Sequence, residues 1–142
     1  MEYKRFGDTV ALRLDKGDEI TEQILTVAKK EQIRLASVTG IGASEDLTVG
    51  VFDAEKREYE TFSFTGICEI TSLTGSVNTM HGAPYSHLHI TCAGRDGTLA
   101  GGHLLRCVVG LTAEIFRRIV DGAVDRKRNE TLGINTWSFD CE

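Results

Sequence analysis

Between residues 18 and 32, apolar positions recur at helical spacing. Ile20, Ile24, Val27 and Ala28 fall on one stripe, with Leu25 at its edge. Asp18 stands where a cap is expected, Glu19 and Glu22 in the first turn, and Lys29 and Lys30 near the end. Each charge has the sign the helix dipole favours at that end. The pattern predicts an amphipathic helix lying on a sheet. Upstream, residues 3–14 alternate, with Val10, Leu12 and Leu14 set against Ala11 and Arg13, and predict a strand. Downstream, residues 35–42, 47–53, 58–65 and 68–78 read as four strands, divided by glycines or by the charged turn 53–57. Two more strands flank the turn at 95–97. Residues 131–139, which hold the single tryptophan, predict a last strand over an edge or the core. The basic stretch 126–128 reads as a solvated turn. Residues 108–119 stay open: Val108, Leu111, Ile115 and Ile119 fit a helix, while Val109, Leu111, Ala113 and Ile115 fit a strand. With no internal repeat or linker, the pattern predicts one α+β domain over residues 1–142. Its core is a largely antiparallel sheet with one main amphipathic helix packed on it.

Composition narrows this picture. At 142 residues, 41% hydrophobic and 26% charged, the chain has the profile of an ordinary globular domain. A chain of this size needs no disulfide or metal simply to fold. No apolar run approaches the ~20 residues of a membrane helix. The opening residues lack the apolar block of a signal peptide, which points to the cytoplasm and to no membrane partner. The net charge of −5 argues against non-specific nucleic-acid binding, which depends on Lys and Arg neutralising phosphates. Cys68, Cys92, Cys107 and Cys141 form no CxxC pair and read as buried free thiols.

Candidate chemistry gathers on histidines. His87, His89 and His103 fall within seventeen residues. On a strand, His87 and His89 share one face, and Leu88 and Ile90 take the other. A three-residue hairpin loop, Arg95-Asp96-Gly97, with Gly97 in its left-handed last place, pairs Gly94 with Thr98. His89 then lies opposite His103, with Cβ atoms roughly 4.5–5.5 Å apart. Three imidazoles suit Zn2+, or another divalent transition metal such as nickel or copper. They leave a fourth position open for water, a small-molecule ligand or a partner's side chain. The plainer alternative is three strand histidines that hydrogen-bond each other and solvent. His81, in the 80–85 loop, reads as a surface residue. If 108–119 is a strand, Glu114 is able to face the histidines, and a carboxylate beside a metal-bound water is a hydrolytic arrangement. No nucleophile elbow, Walker loop or dinucleotide fingerprint is present.

The stretch Gly66-Ile67-Cys68-Glu69-Ile70-Thr71-Ser72-Leu73-Thr74-Gly75-Ser76-Val77 resembles the central strand motif of the plant and prokaryote conserved domain. Plant members carry G-R-F-E-I-L there, followed by S-L-S-G-S. Gly66, Glu69, Ile70, Ser72, Leu73, Gly75 and Ser76 match, and Ile67, Cys68 and Thr71 depart. Ala93 to Gly97 with Gly101-Gly102 resembles the family's second motif, and Leu12-Arg13-Leu14 with Gly17-Asp18-Glu19-Ile20 its opening. The resemblance implies an antiparallel sheet with one main helix, a strand at 108–119 and a homotrimer. It also implies a metal on His87, His89 and His103, residues shared with stand-alone prokaryotic members. Those proteins are often labelled DNA-binding, after plant relatives whose DNA contact resembles a separate AT-hook arm of R-G-R-P type. Neither such an arm nor a positive charge balance is present here. The expected function is that of a metal-binding trimer, with zinc at the three-histidine site, of regulatory or ligand-sensing type. The alternatives are a DNA-binding protein and a metal-dependent hydrolase or lyase.

Overall fold

The computed structural model describes residues 1–139. The elements run β1 (Glu2–Phe6), β2 (Thr9–Asp15), α1 (Ile20–Lys30), β3 (Ala36–Asp53), β4 (Glu58–Met80), β5 (Ala83–Ala93), β6 (Leu99–Ile119), β7 (Asp125–Asn129) and β8 (Ile134–Ser138). Six strands form one sheet in the order β1-β2-β6-β3-β4-β5, every neighbour antiparallel, and β7 and β8 make a separate hairpin. Because β5 also pairs with the first residues of β6, strands β3, β4, β5 and β6 close on one another. This is the α+β architecture with one helix that the pattern predicts.

Helix α1 buries Ile20, Ile24, Val27 and Ala28, the anticipated stripe. It meets the inward side chains Val10, Leu12 and Leu14 of β2 and Val109, Ala113 and Ile115 of β6 in one core. The cap differs from the expectation. Glu19, not Asp18, accepts from the Glu22 amide, at 2.7 Å. The Asp18 carboxylate is recruited instead by the Asp15 amide at 2.8 Å and by the N-terminal ammonium at 3.1 Å. Glu19 also accepts from the Cys107 amide at 3.0 Å, which ties the start of the helix to β6.

Residues 3–14 are not one strand but the hairpin of β1 and β2, turned at residues 7–8, whereas the strands after the helix are longer than the turn signals indicate. Residues 35–42 and 47–53 belong to the single strand β3, and 58–65 and 68–78 to β4. The dividing glycines mark register shifts at Gly40/Gly42 and Ser44/Asp46, where an extra residue bends the ladder without ending it. The open segment 108–119 is strand, paired on one side with β2 and on the other with β3. Its alternation is broken at Leu111, which is 61% exposed. Residues 110–112 have no partner in the register with β3, and that irregularity turns Leu111 away from the core.

Two expectations near the end of the chain are corrected. Residues 126–128 are not a solvated turn but part of β7, and Arg126 is 5% exposed. A charged triplet reads as solvated only while the tertiary contacts of its first residue, Arg126, are unseen. The last strand is confined to Ile134–Ser138, after a turn closed by the Gly133 amide on the Asn129 carbonyl at 2.8 Å. Trp137 is 46% exposed and stays outside the core. Cys68, Cys92 and Cys107 are free, while Cys141 lies outside the described residues. Burial raises the Cys92 thiol and pushes Cys107 up to about 11, so both stay protonated.

Candidate metal centre

The loop at 95–97 sets the site. The Gly94 amide donates to the Thr98 carbonyl and the Gly97 amide to the Gly94 carbonyl, both at 2.9 Å. Gly97 has φ 79°, the left-handed value that a side chain resists. Ala93 therefore pairs with Leu99, Cys92 with Ala100, and His89 with His103, the register the loop chemistry predicts. Leu88, Ile90 and Leu104 point into the core. His87, His89 and His103 alternate with them and share the outer face.

The three rings are 5.2–5.4 Å apart between centroids. One nitrogen from each can be chosen so that all three lie within 4.8 Å of one another. A tetrahedral zinc with Zn–N of 2.0–2.1 Å draws its nitrogens to about 3.4 Å, a closure that small side-chain rotations supply. The residues fit a divalent ion on a second ground. His103 Nδ1 is buried with no hydrogen-bond partner, a state that costs free energy unless something occupies its lone pair.

Electrostatics favour the neutral, ligating form. Burial lowers the His103 pKa to about 4, with the charges of His87, His89 and Arg126 adding to the effect. Burial, then Arg126 and His89, lowers His87 as well. Near neutral pH both rings therefore keep a free lone pair.

An aromatic wall supports the cluster. Tyr59 stacks on His103 at 5.0 Å between centroids and 25° between planes, and Phe52 meets the edge of Tyr59 at 5.2 Å. Gly50, paired with His103, makes room for this: a Cβ there would sit 2.7 Å from the Tyr59 ring. Burial raises the Tyr59 pKa, so its phenol is neutral.

On the other side lies β7. Arg126 Nε donates to Asn78 Oδ1 at 3.0 Å, Nη1 to the Asn135 carbonyl at 2.9 Å, and Nη2 to His87 Nδ1 at 3.1 Å. Its guanidinium lies 5.0 Å from the Tyr85 ring centroid. Asn78 is fully buried beneath it.

The structure brings together the three histidines that the sequence singles out, and beside them stand Tyr59, Tyr85, Asn78 and Arg126, which the sequence pattern does not mark. Arg126 touches Asn78 and His87 across 48 and 39 residues, and nothing local marks it. His81 is an exposed turn residue with φ 52° and does not join the cluster. Glu114 is also elsewhere. It pairs with Arg13 and Ile41, eleven residues beyond His103 on β6, and does not join the cluster.

The sequence profile of the Plants and Prokaryotes Conserved domain matches residues 1–119. A solved structure from Bacteroides thetaiotaomicron, described as a candidate DNA-binding protein, is 29% identical with a TM-score of 0.95, covering 99% of this chain and 98% of its own. The plant- and prokaryote-conserved protein of Pyrococcus horikoshii is 31% identical with a TM-score of 0.86, covering 96% and 93%. A protein of Archaeoglobus fulgidus described as metal-containing is 33% identical with a TM-score of 0.87, covering 96% of both chains. No curated protein matches the chain.

Proposed function

This chain belongs to the Plants and Prokaryotes Conserved domain family, and from that premise we propose that it is a metal-binding module of regulatory or ligand-sensing type, with zinc held by His87, His89 and His103. The observation that carries this reading is the convergence of three imidazoles whose nitrogens lie within 4.8 Å, one of them buried and unpartnered. The metal-containing relative from Archaeoglobus supports it. Imidazole nitrogens without a thiolate suit zinc, with nickel or copper as the competing choices. Three protein ligands leave a fourth position, at which a bound ion polarises an incoming group. His87, His89 and His103 would hold the ion, with Tyr59 stacked on His103 and Arg126 hydrogen-bonded to His87. Metal analysis of untagged protein at pH 7.5 tests the reading. One divalent ion per chain is expected, and no uptake overturns it.

A hydrolase or lyase is less well supported, since no Asp or Glu of the described residues joins the histidine cluster. DNA binding is favoured by the description of the Bacteroides relative and opposed by the net charge of −5. We expect no duplex binding tighter than about micromolar at physiological salt. Saturable, salt-sensitive binding below that range in a mobility-shift assay would reverse the order of the two readings.

The active form in this proposal is a homotrimer. Ile41 and Phe116 are 59% and 55% exposed on one face, and strand β1 leaves a sheet edge unpaired. Light scattering should give three times 15.6 kDa, and a 15.6 kDa species at micromolar concentration would refute it. Among the described residues no helix is long and apolar enough to cross a membrane. A cytoplasmic setting, where thiols stay reduced, suits the three free cysteines.

A further inference from the structure

Arg126 is a buried cation with no carboxylate partner among the described residues. The residue is 5% exposed, the three contacts of its guanidinium are an amide oxygen, a backbone carbonyl and a ring nitrogen, and its ring neighbour is Tyr85. A guanidinium only donates, so His87 Nδ1 is the acceptor and the proton of the neutral ring sits on Nε2. That pairing cannot survive metal ligation by a neutral His87. If Nδ1 binds the ion, its lone pair is taken. If Nε2 binds, the ring proton moves to Nδ1 and faces the guanidinium as a second donor. Either way Nη2 loses its acceptor, while Asn78 and Asn135 still hold the other two nitrogens in place.

A buried charged donor left without an acceptor costs more than an ordinary unpaired group. The group best suited to fill the gap is anionic, because it also balances the charge. We propose that the open metal position takes a small oxyanion ligand, a carboxylate or phosphate group, with one oxygen toward the ion and another replacing His87 Nδ1 as the acceptor for Arg126. The proposal rests on the three-histidine metal reading above. Arg126 is then the specificity-determining residue of the site, and β7, beyond the part of the chain the family profile matches, supplies it.

The test uses full-length protein loaded with cobalt, whose visible spectrum reports changes at the ion, after metal content has been measured. Acetate and inorganic phosphate are titrated separately, with acetamide as the uncharged isostere of acetate. Saturable spectral change with acetate, phosphate or both, and none with acetamide at equal concentration, is expected. The stronger of the two anions identifies the ligand class. Arg126→Gln should bind the same cobalt but lose about 10- to 100-fold in anion affinity, the range of one charged hydrogen bond. Arg126→Lys, which keeps the charge but not the fork, should fall between. If wild-type protein binds cobalt but acetamide matches acetate, or Arg126→Gln keeps full anion affinity, the inference fails and the metal site stands. If wild-type protein binds no cobalt, both fail. Should Arg126→Gln not fold, the comparison of acetate with acetamide in the wild type still decides.

Discussion

Replacing His103 by alanine should leave a folded chain that holds almost no divalent metal. His103 is the one ligand delivered by β6, and it faces His89 only because the Gly97 loop sets the pairing. Without it, His87 and His89 remain as two imidazoles on one strand, a set too small to hold zinc tightly. Loss of an outer-shell partner alone typically lowers metal affinity 10- to 100-fold, and loss of a direct ligand should exceed about 100-fold. The fold should persist, because the core side of this strand is Leu104, which the substitution leaves in place. His87→Ala and His89→Ala should behave alike. His81→Ala should retain full metal, since that side chain sits exposed in the turn between β4 and β5. Metal content and circular dichroism of the four variants check this. Full zinc occupancy in His103→Ala would end the three-histidine reading.

Acid should destabilise the metal-free protein through the same residue. The ordinary pKa of histidine is about 6.5, and burial holds His103 at about 4 in the folded chain. Above pH 6.5 the ring is neutral in both states and contributes no difference. As pH falls below 6.5 the unfolded chain takes up a proton that the folded chain refuses. Stability therefore drops progressively until about pH 4, and His87 acts in the same direction. The share due to His103 should be about 1 kcal/mol, allowing for solvent screening of a half-buried ring. Urea midpoints of metal-free protein at pH 7.5 and 4.5 measure it. The drop should be smaller in His103→Leu, which has no proton to gain. An equal drop in both proteins would mean that carboxylates alone drive the change.

Much of this protein is determined locally. The stripe of α1, the alternation of β2 and the 95–97 loop each depend on residues within a few positions of one another. From these follow the helix, the strands and the facing of His89 and His103, because turn geometry and a period of two fix which side chains share a face. The sequence by itself therefore determined the three histidines. Only the tertiary structure decided the remainder. Residues 108–119 carry two periods at once, and pairing with β2 and β3 on both sides selects the strand. The glycines of β3 and β4 became bulges rather than turns because the neighbouring strands continue past them. Tyr59 lies over His103 through the space left at Gly50, nine residues earlier in the chain. Arg126 was the hardest to foresee: a cation between two other charged or polar residues has every local reason to stay in water. It is buried because Asn78, the Asn135 carbonyl and His87, brought from three other strands, meet three of its nitrogens at once. Hydrogen-bond satisfaction of that kind is a property of the assembled fold, and no spacing along the chain encodes it.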